Sequence, residues 1–287
     1  MDIRCKECFE RSYQRLYRKW NINDQQISDF QPFFKEILYG DVDYSSPHAQ
    51  MILQGKLKDI TGIDDFYKEE KENSNQMAAE IVKSLIPKVR QSPDPFIMAL
   101  RLAIAGNIMD YGAKDQFNIE DTITGVLQAS FGIDHSEQLR EQIKQSRNIL
   151  YLGDNAGEIV FDKLFIETIN HTNITYAVRG GPALNDSTLK EAREVGMDRV
   201  AKLIDSGVAA PTTLLQFSGK KFLKAYREAD LIISKGQGNL EGLLDENDPR
   251  IFFLILVKCD VIGEILNTPK DSIVVCNTKY FVKNPQI

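Results

Sequence analysis

The chain has 287 residues, of which 43% are hydrophobic and 26% are charged, and its formal net charge is −6 at pH 7. This length can bury a sizeable core in one large domain or two smaller ones, and the composition is that of an ordinary globular protein. The acidic balance argues against broad binding to nucleic acids or anionic membranes, because such binding needs a basic surface. No apolar stretch approaches the roughly 20 residues that span a bilayer.

Residues 1–5 contain no apolar segment of the kind found in signal peptides, so we expect a cytoplasmic protein. Cys5 and Cys8 form a single C-x-x-C pair, without the second pair that a structural zinc site usually has. We favour two thiols on one helix face over a metal or redox site at the terminus. No pattern in the sequence indicates an oligomeric state.

The first half of the chain has the apolar spacing of helices and no clear strand before residue 147. Asn23 is the predicted cap of the second helix, and Ser46-Pro47 and Asp94-Pro95 each have the cap-then-proline pattern of a helix start. The predicted helices cover residues 7–20, 23–40, 46–62, 65–89, 96–109, 119–129 and 136–146.

After residue 147, short apolar runs alternate with helical segments, which are predicted over residues 159–169, 188–195, 214–228, 240–244 and 261–266. The predicted strands cover residues 149–152, 174–178, 200–204, 231–234, 252–257 and 273–276. Such alternation is typical of a mainly parallel sheet with helices on both faces. We therefore predict the fold class α/β, with an all-helical N-terminal domain over 1–140 and a three-layer α/β/α domain over 141–287.

The loops that follow the predicted strands carry most of the residues suited to chemistry. They are Asp154, Asn155 and Glu158 after the first strand, Arg179 and Asp186 after the second, and Lys235 and Asn239 after the fourth. Loops at the carboxyl ends of parallel strands meet at one edge of the sheet, so we expect these residues to lie together, with the loop carboxylates facing solvent. Carboxylate and amide oxygens suit Mg²⁺ or Mn²⁺, and Arg and Lys suit phosphate.

Several of these residues also have a purely structural interpretation. Asn155 and Glu158 have the spacing of a capping box, and Asp186 or Ser187 could cap a helix that begins near Thr188. Their coincidence in adjacent loops favours a shared site. Asn107 and Asp110, three residues apart at the end of an apolar helix, form either a local cap or a lid residue pair that closes the site from above.

Four motifs in this order resemble the metal-dependent damage-control phosphatase family, long catalogued as domain of unknown function 89. The motifs are Ala105-Gly106-Asn107-Ile108-Met109-Asp110, Gly153-Asp154-Asn155-Ala156-Gly157-Glu158, Val178-Arg179-Gly180 with Asn185-Asp186, and Ser234-Lys235-Gly236 with Asn239. The Cys5-x-x-Cys8 pair and Lys258-Cys259 are similar to the prokaryotic branch of this family.

The resemblance implies a helical N-terminal region, an α/β/α domain, and hydrolysis of small phosphomonoesters (sugar phosphates or damaged phosphometabolites) with Mn²⁺, Co²⁺, Ni²⁺ or Mg²⁺. The stretch after Lys235 lacks the basic residues of the eukaryotic sugar-phosphate branch, which leaves the substrate class open. The implied site residues are Asp154, Asn155 and Asp186 as metal ligands, Glu158 and Lys235 beside the phosphate, and Arg179, Asn107, Asp110 and Asn239 around the pocket.

Metal-assisted phosphomonoester hydrolysis is therefore our leading hypothesis, with two possible routes. A water attacks with Glu158 or Asp110 as base, or a carboxylate such as Asp154 attacks directly. An S-adenosylmethionine-dependent carboxyl methyltransferase is a weaker alternative, because the first strand–helix turn offers Asp154 and Asn155 rather than an open glycine loop. A non-catalytic phosphometabolite-binding protein is the second alternative.

Overall fold

A computed structural model of the protein describes residues 1–107, 125, 127 and 129–280. Asn23 caps the second helix in a capping box with Gln26, and Asp94 caps the fifth by accepting from the Ile97 N–H, as the sequence predicts. The third helix is capped at Ser45, one residue before the predicted position. The first five helices are α1 (Ile3–Lys19), α2 (Asp24–Tyr39), α3 (Ser46–Thr61), α4 (Lys68–Gln91) and α5 (Pro95–Ala105).

A seven-stranded sheet occupies the rest of the described chain. Its strands are β1 (Phe131–Asp134), β2 (Ile149–Leu152), β3 (Ile174–Val178), β4 (Lys202–Asp205), β5 (Leu231–Lys235), β6 (Ile251–Leu256) and β7 (Ile273–Asn277). The strand order is β1-β7-β6-β5-β2-β3-β4, and every neighbouring pair is parallel except β6 with β7. The α/β fold with a mainly parallel sheet is therefore confirmed.

Six further helices alternate with these strands and cover the sheet. They are α6 (Ser136–Gln145), α7 (Glu158–Ile169), α8 (Leu189–Glu194), α9 (Lys220–Glu228), α10 (Gly236–Leu243) and α11 (Asp260–Leu266). No helix in the described part of the chain has both the length and the apolar character needed to cross a membrane.

The sequence patterns fail at two elements. β1 is missed because it has only four residues and alternates half-buried with exposed positions at the margin of the sheet. The predicted helix before β5 is divided into a short turn, Leu215–Phe217, and α9, because Ser218 and Gly219 are extended. The helix predicted over 119–129 lies mostly outside the described residues. The domain boundary at 140/141 stays a prediction.

The hydrophobic core has three parts. One face of the sheet packs with α4, α5 and α7, and the opposite face packs with α9, α10 and α11. The helices α1 to α3 enclose a separate aromatic cluster around Tyr13 and Phe30. Two helices of the N-terminal half thus share a core with the sheet, and the end of α5 reaches α7, where the Glu158 backbone and Phe161 surround Gly106.

The strand order reverses between β2 and β5. The chain proceeds from β2 to β3 and β4 on one side, whereas β5 and β6 lie on the other side of β2. Loops that leave two such strands diverge and open a crevice at the carboxyl ends of the strands, where open α/β sheets bind ligands. Asp154 follows β2 and Lys235 ends β5, so the fold places both at this crevice.

Gly153 makes the turn out of β2 possible. Its N–H donates to the Ala177 carbonyl over 2.9 Å, and a Cβ at this position would lie 2.4 Å from the Tyr176 Oη. We expect Gly153→Ala to lower the free energy of unfolding by about 1–3 kcal/mol, because the buried ring must move. Thermal or urea unfolding measures the change.

Gly55→Ala is the matched control for this substitution. Gly55 is an exposed residue within α3, and a Cβ there would meet nothing within 4 Å. Alanine at this helical position should raise stability by about 0.5–1 kcal/mol. Equal effects of the two substitutions would contradict the steric role of Gly153.

Candidate active site

The turn after β2 lies against the loop after β3. The Ala156 N–H donates to the Asn185 carbonyl over 2.9 Å, and the Ser187 N–H donates to the Asp154 carbonyl over 2.8 Å. These backbone bonds place Asp154, Asn155 and Asp186 side by side, and we call the three side chains the acidic corner. They are 7%, 4% and 3% exposed, so the expectation of solvent-facing loop carboxylates is wrong.

Arg179 connects the two carboxylates of the acidic corner. Its Nε lies 2.5 Å from Asp186 Oδ2, and one terminal nitrogen donates to Asp154 Oδ1 over 3.0 Å. The other terminal nitrogen donates to Asn239 Oδ1 over 2.8 Å. Burial lowers the pKa of Arg179, but the charges of Asp186 and Asp154 raise it by a larger amount, so the net shift is upward.

Asn239 fixes the distance between α10 and the turn after β2. Its amide nitrogen donates to the Gly153 carbonyl over 3.1 Å and to the Lys235 carbonyl over 2.8 Å. Its oxygen accepts from Arg179 and from Thr213 Oγ1. All four hydrogen-bonding positions of this amide therefore have protein partners, and the guanidinium of Arg179 is held from both sides.

Lys235 lies behind the acidic corner and is fully buried. Its ammonium donates to Glu158 Oε1 over 2.5 Å, to Asp162 Oδ1 over 2.6 Å and to the Ala103 carbonyl over 2.8 Å. An ammonium has three hydrogens, so these three acceptors use them all. We call this arrangement the Lys235 clamp. It joins β5, α7 and α5.

The second oxygen of Glu158 faces the acidic corner. Glu158 Oε2 accepts from Asn107 Nδ2 over 2.9 Å and from Asn155 Nδ2 over 3.3 Å. The same two amides also donate to Asp154 Oδ2, over 3.3 and 3.0 Å. Asn107, predicted to close the site from above, thus contacts it directly. Asp110, its predicted companion, lies outside the described residues.

The helix-capping alternatives account for little of this arrangement. The cap of α7 is Gly157, which has no side chain to bond with, and the Asn155 N–H is 3.4 Å from Glu158 Oε2. The helix α8 is capped by Thr188 in a capping box with Glu191, not by Asp186 or Ser187. The carboxylate of Asp186 is therefore available to the acidic corner.

The acidic corner and the Lys235 clamp together hold more negative than positive charge. Four buried carboxylates, those of Asp154, Glu158, Asp162 and Asp186, face the buried cations of Arg179 and Lys235. Burial raises the pKa of Asp154 well above its ordinary value, and the charges of Asp186 and Glu158 raise it further. Uncompensated charge of this kind is costly in a buried site.

A divalent cation fits this environment. The buried carboxylates outnumber the buried cations, and the charge of the partly buried Lys258 offsets only part of the rise in the pKa of Asp154. The positive charge of a divalent ion would offset the remaining excess, and hard oxygen donors are the ligands that Mg²⁺ and Mn²⁺ prefer. Asn107 Oδ1 is buried and has no hydrogen-bond partner among the described residues. Within the described residues no three His, Cys, Asp or Glu side chains are arranged to hold a metal. The predicted ligand set has only two such side chains, with the amide of Asn155 as its third member.

Two residues of the site, Asp162 and Asn75, were not predicted from the sequence. Asp162 belongs to the Lys235 clamp, and its spacing of four from Glu158 on one helix was a usable signal. Asn75 of α4 accepts from the Gly157 N–H over 2.6 Å, across a separation of 82 residues. No local pattern could have indicated that contact.

Cys5 and Cys8 lie on α1, as predicted, and neither forms a disulfide. Both line a cavity of about 830 Å³ that Cys259 also lines. The interpretation of Cys5 and Cys8 as two thiols on one helix face stays a prediction, as does the alternative of a metal or redox site.

Comparisons with known proteins agree with each other. A model of the damage-control phosphatase ARMT1-like domain matches residues 4–274. A damage-control phosphatase of Pyrococcus horikoshii is 34% identical over 229 residues, which is 78% of this chain and 79% of the relative. An uncharacterized protein of Methanocaldococcus jannaschii is 37% identical over 222 residues, which is 72% of each chain. A damage-control phosphatase of Archaeoglobus fulgidus is 32% identical over 223 residues, covering 75% of this chain and 77% of the relative.

A solved structure supports the same relationship. The crystal structure of a DUF89 family protein from Pyrococcus horikoshii, at 2.04 Å resolution, has a TM-score of 0.88 to this fold. The two chains are 29% identical, and the superposition covers 97% of this chain and 99% of that one.

Asp162 gives the site a measurable dependence on pH. Burial raises the pKa of this carboxyl to about 6, from an ordinary value of 3.8, against the opposing charge of Lys235. The folded state therefore holds a proton that the unfolded state loses first, and this contribution to stability declines as the pH rises from about 4 to about 6. In urea unfolding, the stability of the wild type relative to Asp162→Asn should fall across this range. A flat or rising difference would contradict the assignment.

Proposed function

The chain belongs to the damage-control phosphatase ARMT1-like domain family, and we propose that it is a divalent-metal-dependent phosphatase that hydrolyses small phosphomonoesters. The observation that carries this proposal is the acidic corner itself. Asp154, Asn155 and Asp186 lie buried side by side at the crevice between β2 and β5, with an excess of negative charge around them. The names of the Pyrococcus and Archaeoglobus relatives support a phosphatase.

We assign the metal to oxygens of Asp154, Asn155 and Asp186. When bound, Mn²⁺, Co²⁺, Ni²⁺ or Mg²⁺ supplies a Lewis acid that offsets the charge of the reacting phosphoryl group. Asn155 now presents its amide nitrogen to Asp154 and Glu158. A half-turn of this amide would present its oxygen instead, and a cation would make that orientation favourable.

The remaining residues orient these groups. Arg179 holds Asp154 and Asp186 in a fixed relation, and Asn239 holds Arg179. We propose Glu158 as the general base, because its Oε2 faces the acidic corner within a buried, amide-lined environment. The ammonium of Lys235 would act on the site through Glu158, since its three hydrogens are all donated to protein acceptors. Direct contact of Lys235 or Arg179 with phosphate stays a prediction, as do the roles of Asn107 and Asp110.

The test of the function is a hydrolysis screen. Release of inorganic phosphate from p-nitrophenyl phosphate and a panel of sugar phosphates is measured with each of the four metals, with and without a chelator. We expect turnover that needs the metal and stops with the chelator. Turnover unaffected by the chelator would contradict the metal. Binding of esters without turnover would favour a binding protein, and tight saturable binding of S-adenosylmethionine in equilibrium dialysis would favour the methyltransferase.

Asp154→Asn tests the acidic corner. Asparagine keeps the shape of a buried side chain that bonds to Arg179 but loses the charge that would hold the metal. We expect kcat to fall by at least about 100-fold and metal affinity to fall with it, as measured by titration calorimetry. Alanine would instead leave Arg179 short of a buried partner and confuse lost activity with lost stability.

Asp205→Asn is the matched control. Asp205 also ends a strand at the same edge of the sheet, but among the described residues its carboxylate accepts only from the Gly207 N–H, over 2.9 Å. Its substitution should leave kcat within about threefold of the wild type. Full activity in Asp154→Asn would disprove the assignment of the acidic corner. A fluoride of beryllium bonded to the Asp154 oxygen in a trapped complex would favour direct carboxylate attack over the Glu158 route.

A further inference from the structure

Asp162 is a buried charge that the proposed reaction does not yet use. It lies on α7, one turn after Glu158, among the buried apolar residues Phe161, Leu164 and Phe165. Its Oδ1 accepts from Lys235 over 2.6 Å and from the Tyr151 hydroxyl over 2.8 Å. Its Oδ2 accepts from the Tyr176 hydroxyl over 2.8 Å. The carboxylate is thereby fixed by residues of three strands, β2, β3 and β5.

The two tyrosines form a rigid support for this carboxylate. Tyr151 on β2 and Tyr176 on β3 are paired across the strands, and their rings stack with centroids 5.2 Å apart. Both rings are fully buried, as is Asp162. A short carboxylate that accepts from two stacked phenols has little freedom to rotate, so the position of the Lys235 ammonium is also set.

Stability alone is a weak reason for such an arrangement. Replacing a buried ion pair with apolar residues of similar size is often neutral or stabilising, because the desolvation of the charges cancels much of their attraction. Lys235 nevertheless pairs with a second carboxylate, that of Asp162, although Glu158 already pairs with it. The positive charge of Lys235 is therefore shared between Glu158 and Asp162. The bond to Asp162 also holds the ammonium in place if the Glu158 side chain moves.

We propose that Asp162 is a positioning residue, which holds the Lys235 ammonium in place so that Glu158 Oε1 stays bound and Glu158 Oε2 stays directed at the acidic corner. This inference rests on the proposed phosphatase function, in which Glu158 acts on the reacting group. Asp162 contacts none of the three residues of the acidic corner in the described bonds. Its effect is therefore expected on turnover, not on metal affinity.

The first test is the kinetics of Asp162→Asn with p-nitrophenyl phosphate and Mn²⁺. We expect kcat to fall at least about 30-fold, KM to change less than about threefold, and the affinity for Mn²⁺ to stay within about twofold. A kcat within threefold of the wild type overturns the proposal. So does a loss of kcat that is matched by an equal loss of Mn²⁺ affinity, because that result would place Asp162 at the metal.

The pH profile separates positioning from a general loss of packing. The titratable groups around the ammonium are Glu158 and Asp162 on α7, with Tyr151 and Tyr176 behind Asp162, whereas α5 contributes only a carbonyl. Burial lowers the pKa of Lys235, and the two carboxylates more than restore it. Without the Asp162 charge this pKa falls, so the alkaline decline of kcat should move to lower pH in Asp162→Asn. An unmoved alkaline limb overturns the proposal.

Tyrosine variants provide a second test of the proposal if Asp162→Asn does not fold. The double variant Tyr151→Phe/Tyr176→Phe keeps the Asp162 charge but removes both hydroxyl bonds, and kcat should fall about tenfold. Tyr226→Phe is the control, because its hydroxyl also bonds a carboxylate, that of Asp248, but on the opposite face of the sheet. An equal change of kcat in the double variant and the control overturns the proposal.

A readout without turnover keeps this inference distinct from the proposed function. The Nζ resonance of ¹⁵N-labelled Lys235, identified by its loss in Lys235→Met, should show slowly exchanging ammonium protons in the wild type. The resonance should lose that protection in Asp162→Asn and keep it in Tyr226→Phe. Protection retained in Asp162→Asn overturns the positioning role. Absence of turnover in the wild type with every metal overturns the phosphatase, whatever the resonance shows.

Discussion

Four carboxylates buried around one crevice, with the cations of Arg179 and Lys235 among them, set the conditions for the rest of the structure. Charges removed from water must be paired and hydrogen-bonded, and the carboxylates and cations of this crevice are all bonded to neighbours. Arg179 and Lys235 bind different carboxylates and lie on opposite sides of β2, since Arg179 follows β3 and Lys235 ends β5. The buried carboxylates of the crevice thus outnumber its buried cations, and this excess supports the proposed cation site.

Much of the fold could be predicted because its signals are local. Strands β2 and β3 are fully predicted since they are short apolar runs bounded by turn residues, and the starts of α2 and α5 follow from their N-capping residues. The pattern fails at β1, whose identity as a strand depends on pairing with β7 and not on its own composition. An edge strand with a half-exposed face has no periodicity strong enough to detect.

The site could be predicted as a set of residues but not as a set of bonds. Asp154 and Asp186 could be predicted as site residues because both follow predicted strands, and parallel topology brings such loops to one edge of the sheet. Their burial was not predictable, since it depends on α4 and α5, whose residues Asn75 and Ala103 contact the turn and the lysine. Asp162, the second partner of Lys235 on α7, was not predicted. A carboxylate inside an apolar helix is an anomaly that sequence inspection can detect, but its partner comes only from the tertiary structure.

The pairing of β1 with β7 also has a consequence for how the protein is made. Among the described residues, β1 is the first strand in the sequence and pairs only with β7, the last one, so it stays unpaired while the ribosome synthesises the residues between them. Pairings so distant in sequence form slowly. The helical segments and the inner strands can assemble during synthesis, but β1 can pair only after β7 has been synthesised. Until then an unpaired strand edge is exposed, and this edge is the expected site of chaperone binding or aggregation.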